Sequence, residues 1–428
     1  MKSKIARSER PAIERREFLG LAAVGAAFAF SPPLWPQGDG DLTITSVRLV
    51  KTRRKRPLPA YSPVPGSYWV NREAARPITI YPGYTGRRAA GSKWAPDPGS
   101  PASGFTVEIG TNKGLKGYGV GNMGGGPFVE GHLAKLLVGQ NPLNIERLWD
   151  IMWRSTLNYG RAGAVVHAIS GVDLALWDLV GKAWGQPVYK LLGGETWPRI
   201  PAYATGNDVE QALKFGYKKF KLAVQHGPGD GRDGLKKNAE HVKRTRELVG
   251  ADSEIMLDCW MALDESYTIE LAEAVAPYRV YWMEECLPPD EYEGFSRLNA
   301  LIKSTFLATG EHEYTRYGFR RLLHYNAVDI WQPEIDACGG MTELRRIGAM
   351  AIGHGIPLIP HGGGGNPALH YLISAPQLAW GETSLPPPGG PEIVYKSWEE
   401  DHNVTRGPEG IYVRPSAEPG LGWKFQVS

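Results

Sequence analysis

The sequence predicts an α/β fold: a parallel (β/α)8 barrel preceded by a smaller domain of different texture. Three observations carry this reading. After Pro198, short apolar runs alternate with helical stretches, and eight such runs can be counted. Five of them are followed by an acidic residue or a histidine at nearly constant spacing. Before Pro198 this alternation is absent, and a hairpin and three helical stretches stand in its place.

Composition bounds the rest. A chain of 428 residues has room for a barrel of ~250 residues and a second unit. Hydrophobic residues at 42% and charged residues at 22% give an ordinary globular balance. Gly and Pro make up about a fifth of the chain, which points to many tight turns and falls short of low complexity. The net charge is +3 and no long basic stripe exists, so the footprint of a dedicated nucleic-acid binder is missing. The one dense basic run, Arg53-Arg54-Lys55-Arg56, reads as a solvated or substrate-facing loop. Cys259, Cys286 and Cys338 lie far apart without metal-finger spacing, which excludes a disulfide scaffold and argues against a thiolate zinc site.

The N-terminus reads as an export signal over residues 1–30. Arg15-Arg16 precedes an uncharged stretch of 12 residues, 19–30. That is too short to span a bilayer, which takes about 20, but it suits a signal core. Ala27-Phe28-Ala29 has the form of a cleavage site. The arginine pair resembles the twin-arginine signal, so a periplasmic, soluble mature chain is expected. No later segment is long and apolar enough to suggest a membrane span.

The first domain, 42–195, opens with an alternating strand at 42–50. Residues 57–101, rich in Pro, Gly and Tyr, suggest a functional flap. Strands at 104–111 and 117–121 flank Asn112-Lys113-Gly114, a hairpin turn. Gly117, Gly119 and Gly121 do not make a phosphate loop, because no βαβ unit surrounds them. Helices are expected over 127–137, 144–157 and 162–184. The last carries Val165, Ile169, Val172, Leu176 and Leu179 on one face. Asp173 and Asp178 within it suit capping or ion pairing at a domain joint.

The barrel, 196–385, is expected to use strands at 200–205, 218–223, 254–258, 280–284, 306–310, 328–332, 356–360 and 377–381. Helices fall between them, including 236–249, 265–276, 317–325 and 341–353. A tail, 386–428, follows.

Asp258, Glu284, Glu311, Glu334 and His361 stand at strand ends, spaced by 26, 27, 23 and 27 residues, about one β/α unit each. Residues at the C-terminal ends of barrel strands converge on one mouth. Three carboxylates meeting there repel one another in a poorly solvated site. A divalent cation resolves the repulsion, and oxygen-only ligands favour a hard ion such as Mg2+. Asp258, Glu284 and Glu311 are therefore the candidate metal ligands. Lys219 and Lys221 share one strand face and are candidates for a base or an electrostatic clamp. Glu334, one strand before His361, is placed to hydrogen-bond its imidazole.

These motifs resemble the enolase superfamily, mandelate racemase subgroup. The matching segments are Leu257-Asp258-Cys259-Trp260-Met261, Trp282-Met283-Glu284-Glu285-Cys286-Leu287-Pro288-Pro289, Gly310-Glu311-His312, Gln332-Pro333-Glu334 and Pro360-His361-Gly362. Further likeness to the sugar-acid dehydratases of the L-rhamnonate type lies in Val172-Asp173-Leu174-Ala175-Leu176-Trp177-Asp178, Tyr203-Ala204-Thr205-Gly206 and His226-Gly227-Pro228. The resemblance implies a modified (β/α)8 barrel with an α+β N-terminal capping domain, on which the tail packs. It implies Mg2+ on Asp258, Glu284 and Glu311, and abstraction of the proton α to a carboxylate to give an enediolate. His361 would be the base, oriented by Glu334. Lys221 and Lys219 would bind the carboxylate or serve the other face. His312, His226 and Trp260 would meet a small-molecule sugar acid. The family's dyad acid is usually Asp, and here it is Glu334. An epimerase pairing Lys221 with His361, and a non-catalytic sugar-acid binder, are the alternative readings. A homo-oligomer is expected.

Overall fold

Glycines set how tightly the first domain closes. Strands β1 (Ile44–Val50), β2 (Thr52–Arg54), β3 (Phe105–Thr111) and β4 (Lys116–Gly121) precede its helices. β1, β3 and β4 form an antiparallel sheet in that order. The expected turn is present, with Gly114 at φ +75° and its N–H donating to the Thr111 carbonyl at 3.0 Å. The Ala164–Ala183 helix lies directly on β4. A Cβ on Gly119 would stand 2.1 Å from the Gly171 carbonyl oxygen, so these glycines serve close helix–strand contact. Val165, Ile169, Val172, Leu176 and Leu179 are all buried, as the periodicity requires. Contrary to the expectation that no later segment would be long and apolar enough to span a membrane, this helix is, by length and composition, but most of it is buried as the core of the domain.

The computed structural model describes residues 42–54, 74–81, 100–365, 367–377, 379–384, 404–423 and 425–427. The signal reading at 1–30 lies outside them, as does most of the proposed flap. The helix expected at 127–137 is three short pieces, with a π turn at Val129–Leu133 between Gly126–Phe128 and Ala134–Leu137. The next is Ile145–Thr156.

The barrel strands are β5 (Ile200–Thr205), β6 (Lys219–Ala223), β7 (Glu254–Asp258), β8 (Val280–Glu284), β9 (Phe306–Thr309), β10 (Ile330–Trp331) and β11 (Gly381–Ser384). They pair in parallel in sequence order, and β11 returns to β5. The seventh stave, expected as a strand at 356–360, is reduced to one bridge, Trp331 with Leu358. Pro357 and Pro360 remove the N–H donors a longer ladder needs. The eighth strand begins at Gly381 and not at Gln377. Gln377 is engaged elsewhere, its side chain bonding the Leu358 N–H at 3.3 Å and the Ile356 carbonyl at 2.9 Å.

The tail divides between the two domains. β12 (Thr405–Gly407) and β13 (Gly410–Val413) form a hairpin that joins β5 antiparallel. β14 (Phe425–Val427) pairs with β2 in the first domain. The expectation that the whole tail packs on the capping domain is corrected accordingly.

Asp173 ties the two domains together, and Asp178 ties the first domain to the tail. Asp173 accepts from the Thr342 N–H at 2.9 Å and its hydroxyl at 2.6 Å, at the start of the Gly340–Gly353 helix. Asp178 accepts from Tyr118 N–H, Leu421 N–H and Lys182.

Candidate active site

The ends of β6 to β11 bring one cluster together. Asp258 and Glu284 are register partners on neighbouring strands, and Glu311 follows β9. His361 follows the seventh stave, and its Nδ1 is hydrogen-bonded to Glu334. Its Nε2 lies 3.1 Å from Glu311 Oε2 and 3.9 Å from Glu382 Oε2. Lys221 is fully buried at the centre, its Nζ 2.7 Å from Glu284, 2.9 Å from Glu382 and 3.8 Å from Asp258. Glu284 also accepts from Gln332 Nε2 at 2.7 Å and Trp282 Nε1 at 3.1 Å.

Backbone strain shapes the next layer. Trp260, Met261 and Glu285 all have positive φ (41°, 63° and 47°), which side-chain-bearing residues rarely adopt. The turn aims Glu285 at His312, whose Nδ1 lies 2.8 Å from Oε1. The Trp260 ring stands 6.3 Å from that of His312, and the Trp260 backbone N–H donates to Asp258 Oδ1 at 3.0 Å. A cavity of about 800 Å³ between the Ile145–Thr156 helix and the loops after β7, β8 and β9 reaches this layer at Met261 and His312.

Charge explains the arrangement. Burial pushes the Glu284 carboxyl up to about 8, and Asp258, Glu382 and Glu311 add to the rise while Lys221 opposes it. Burial works against the Lys221 ammonium, yet Glu284 and Glu382 hold its pKa well above the ordinary value. His312 is likewise desolvated, but Glu285 lifts it to about 9. Six buried carboxylates (Asp258, Glu284, Glu285, Glu311, Glu334 and Glu382) thus face Lys221, His312 and His361. The negative excess and the all-oxygen donor set fit a hard dication. Among the described residues, the ligand atoms drawn within 4.8 Å of one another are those of Glu285, Glu311 and His312. Asp258 and Glu284 instead lean on the Lys221 ammonium.

Two predicted site residues are not part of the cluster. Lys219 opens β6 opposite Glu254, two residues nearer the barrel floor, and its Nζ lies 5.3 Å from the Trp380 ring centroid. Sharing a strand face with Lys221 does not bring it to the mouth, since two residues along a strand span about 7 Å. His226 sits in the loop after β6, with its Nδ1 3.5 Å from Asp230. Sequence reasoning missed Glu382, which also accepts from Thr205 and the Gly362 N–H. Glu382 directly follows the eighth apolar run, 377–381, so the strand-end rule reaches it as it reaches Glu311 and His361.

Two family models match the chain. "Mandelate racemase / muconate lactonizing enzyme, N-terminal domain" covers residues 95–193, and "Enolase C-terminal domain-like" covers 204–427. The chain belongs to the mandelate racemase/muconate lactonizing enzyme family. As a family member it has the modified barrel and N-terminal capping domain described above. It is 41% identical over 360 residues to an L-rhamnonate dehydratase of Saccharopolyspora erythraea, covering 83% of this chain and 90% of that one. A crystal structure of L-rhamnonate dehydratase from Gibberella zeae superposes with a TM-score of 0.77 at 32% identity, covering 91% of this chain and 94% of that one. A structure of rhamnonate dehydratase from the same organism complexed with Mg gives 0.78 at 31% identity, covering 91% and 95%.

Proposed function

We propose that this family member is a Mg2+-dependent sugar-acid dehydratase, converting a 2,3-dihydroxy acid into a 2-keto-3-deoxy acid. The observation that carries the reading is the anchored imidazole. Glu334 accepts the Nδ1–H of His361, which leaves Nε2 as the basic nitrogen, facing the buried carboxylates. Asp258, Glu284 and Glu311 would hold the ion. When bound, Mg2+ supplies positive charge where the substrate carboxylate gains electron density.

The protein's own groups do the rest. His361 Nε2 takes the proton from C2, and the C–H electron pair moves toward the carboxylate. The C3–O bond then breaks, and the hydroxyl leaves as water with the proton His361 has just accepted. The resulting enol becomes the 2-keto acid. A base so placed contributes about 10²–10⁴-fold. Glu334, one methylene longer than the usual Asp, still reaches His361. Lys221 is engaged by Glu284 and Glu382, which suits an electrostatic clamp better than the second base an epimerase needs.

The test is keto-acid release from a panel of sugar acids with Mg2+, in D2O. Keto acid that disappears with chelator supports the reading. Deuterium at C2 of recovered substrate without keto acid would assign epimerisation instead. Saturable binding without either product would assign a non-catalytic binder. Residues 1–30 are read as an export leader on the strength of Arg15-Arg16 and the uncharged stretch behind it. Cell fractionation and N-terminal sequencing of the mature chain test that reading. A homo-oligomer, tested by light scattering, completes the proposal.

A further inference from the structure

The acids that end β7 and β8 each have one carboxylate oxygen occupied by fixed donors. Trp282 lies two residues before Glu284 on β8, on the same face of the strand. Its indole N–H donates to Glu284 Oε2 at 3.1 Å. Gln332, just past β10, donates from Nε2 to the same oxygen at 2.7 Å. A carboxylate oxygen has two lone pairs, and these two donors take both. Trp282 and Gln332 are both buried. Asp258 follows the same plan, its Oδ1 accepting the Trp260 backbone N–H at 3.0 Å. The other oxygens face Lys221: Glu284 Oε1 lies 2.7 Å from its Nζ, and Asp258 Oδ2 lies 3.8 Å from it. Positive charge is therefore shared between one oxygen of each acid. Lys221 also reaches Glu382 at 2.9 Å, so it keeps a partner when a dication takes its place beside Glu284.

Gln332 holds this arrangement at its own expense. Its Oε1 is buried and finds no hydrogen-bond partner among the described residues. An unmet buried acceptor is unfavourable and calls for a reason. The reason is Glu284, since turning the amide over would set one oxygen against another. A side chain that breaks the rule for buried polar groups in order to serve a neighbour marks a functional demand.

We propose that Gln332 and Trp282 are positioning residues that restrict Glu284 to coordination through one oxygen and thereby make the site select Mg2+ over Ca2+. Mg2+ is small and demands near-octahedral geometry, whereas Ca2+ takes about six to eight oxygens and readily uses both oxygens of one carboxylate. With Oε2 occupied, Glu284 offers a single oxygen, which suits the smaller ion. This rests on the reading that Asp258, Glu284 and Glu311 hold the metal.

The test titrates the full chain, stripped with chelator, with MgCl2 and with CaCl2 by calorimetry, without substrate. Gln332→Met keeps the side-chain length and removes the donor. Mg2+ affinity should fall about 10–100-fold, the usual loss when an outer partner of a ligand is removed. Ca2+ affinity should hold or rise, so that the ratio of the two dissociation constants shifts at least about tenfold toward Ca2+. Trp282→Phe should shift the ratio the same way by less, because Gln332 still holds Oε2. A partly unfolded preparation lowers the number of sites for both ions and leaves the ratio alone, so a merely structural role would not move it. A wild type that binds both ions equally, or a ratio unmoved in both variants, overturns the proposal. Glu284→Gln separates this from the fate of the metal reading. If that variant loses Mg2+ while the ratio stays fixed in the other two, the ligand assignment stands and the selectivity role falls. If it binds Mg2+ unchanged, the ligand assignment falls and takes the proposal with it.

Discussion

Glu334 grips His361 at Nδ1 and so turns Nε2 toward Glu311, 3.1 Å away. The dyad acid is thus a positioning residue acting through the imidazole. Glu334→Gln should lower kcat by about 10²–10⁴-fold with little change in KM, because the amide permits the wrong tautomer. A matching fall in Mg2+ affinity would instead place Glu334 among the ligands. Steady-state kinetics and metal titration separate the two outcomes.

Glu284 is held by Lys221, Gln332 and Trp282. Glu284→Gln should abolish turnover and weaken Mg2+ binding at least tenfold by calorimetry. Retained Mg2+-dependent activity would move the metal to Glu285, Glu311 and His312.

Among the described residues, Lys221 carries the one ammonium that touches Asp258, Glu284 and Glu382 together. Lys221→Met leaves buried carboxylates facing one another, a change that costs about 3–5 kcal/mol when one partner of a buried pair is lost. The melting temperature in chelator should fall sharply. Mg2+ should recover more of the loss in the variant than it adds to the wild type, because a dication replaces the missing charge.

Asp173 is pushed up to about 7 by burial, against the pull of its bonds from Thr342. Its folded pKa exceeds the ordinary 3.8, so the folded state holds a proton that the unfolded chain has released. Its contribution is fully present below about pH 4, fades as pH rises toward 7, and stays lost above. Asp173→Asn removes that titration. The melting temperature of the variant relative to wild type should climb across this window and level off near neutrality. A flat difference would mean that Asp173 is ionised throughout.

Much of the site was legible because a barrel converts sequence spacing into convergence. Asp258, Glu284, Glu311, Glu334 and His361 needed only the strand-end rule and a repeat near 26 residues. Glu382 directly follows the run 377–381 and obeys the same rule, although the strand itself forms four residues later, from Gly381, because Gln377 spends its side chain on the seventh stave. Lys219 was overread because strand alternation reports the face and not the depth.

The turn that carries Glu334 is clasped by the first domain. Asn122 bonds Asp336, Trp149 donates to the Gly339 carbonyl, Ser170 accepts from the Gly339 N–H, and Asp173 takes Thr342. The capping domain is therefore also the foundation of the dyad: it keeps in place the turn from which Glu334 reaches His361. Loosening that clasp would blunt chemistry before it weakened affinity, and a catalytic half lifted out of its partner would keep its acids while losing its aim.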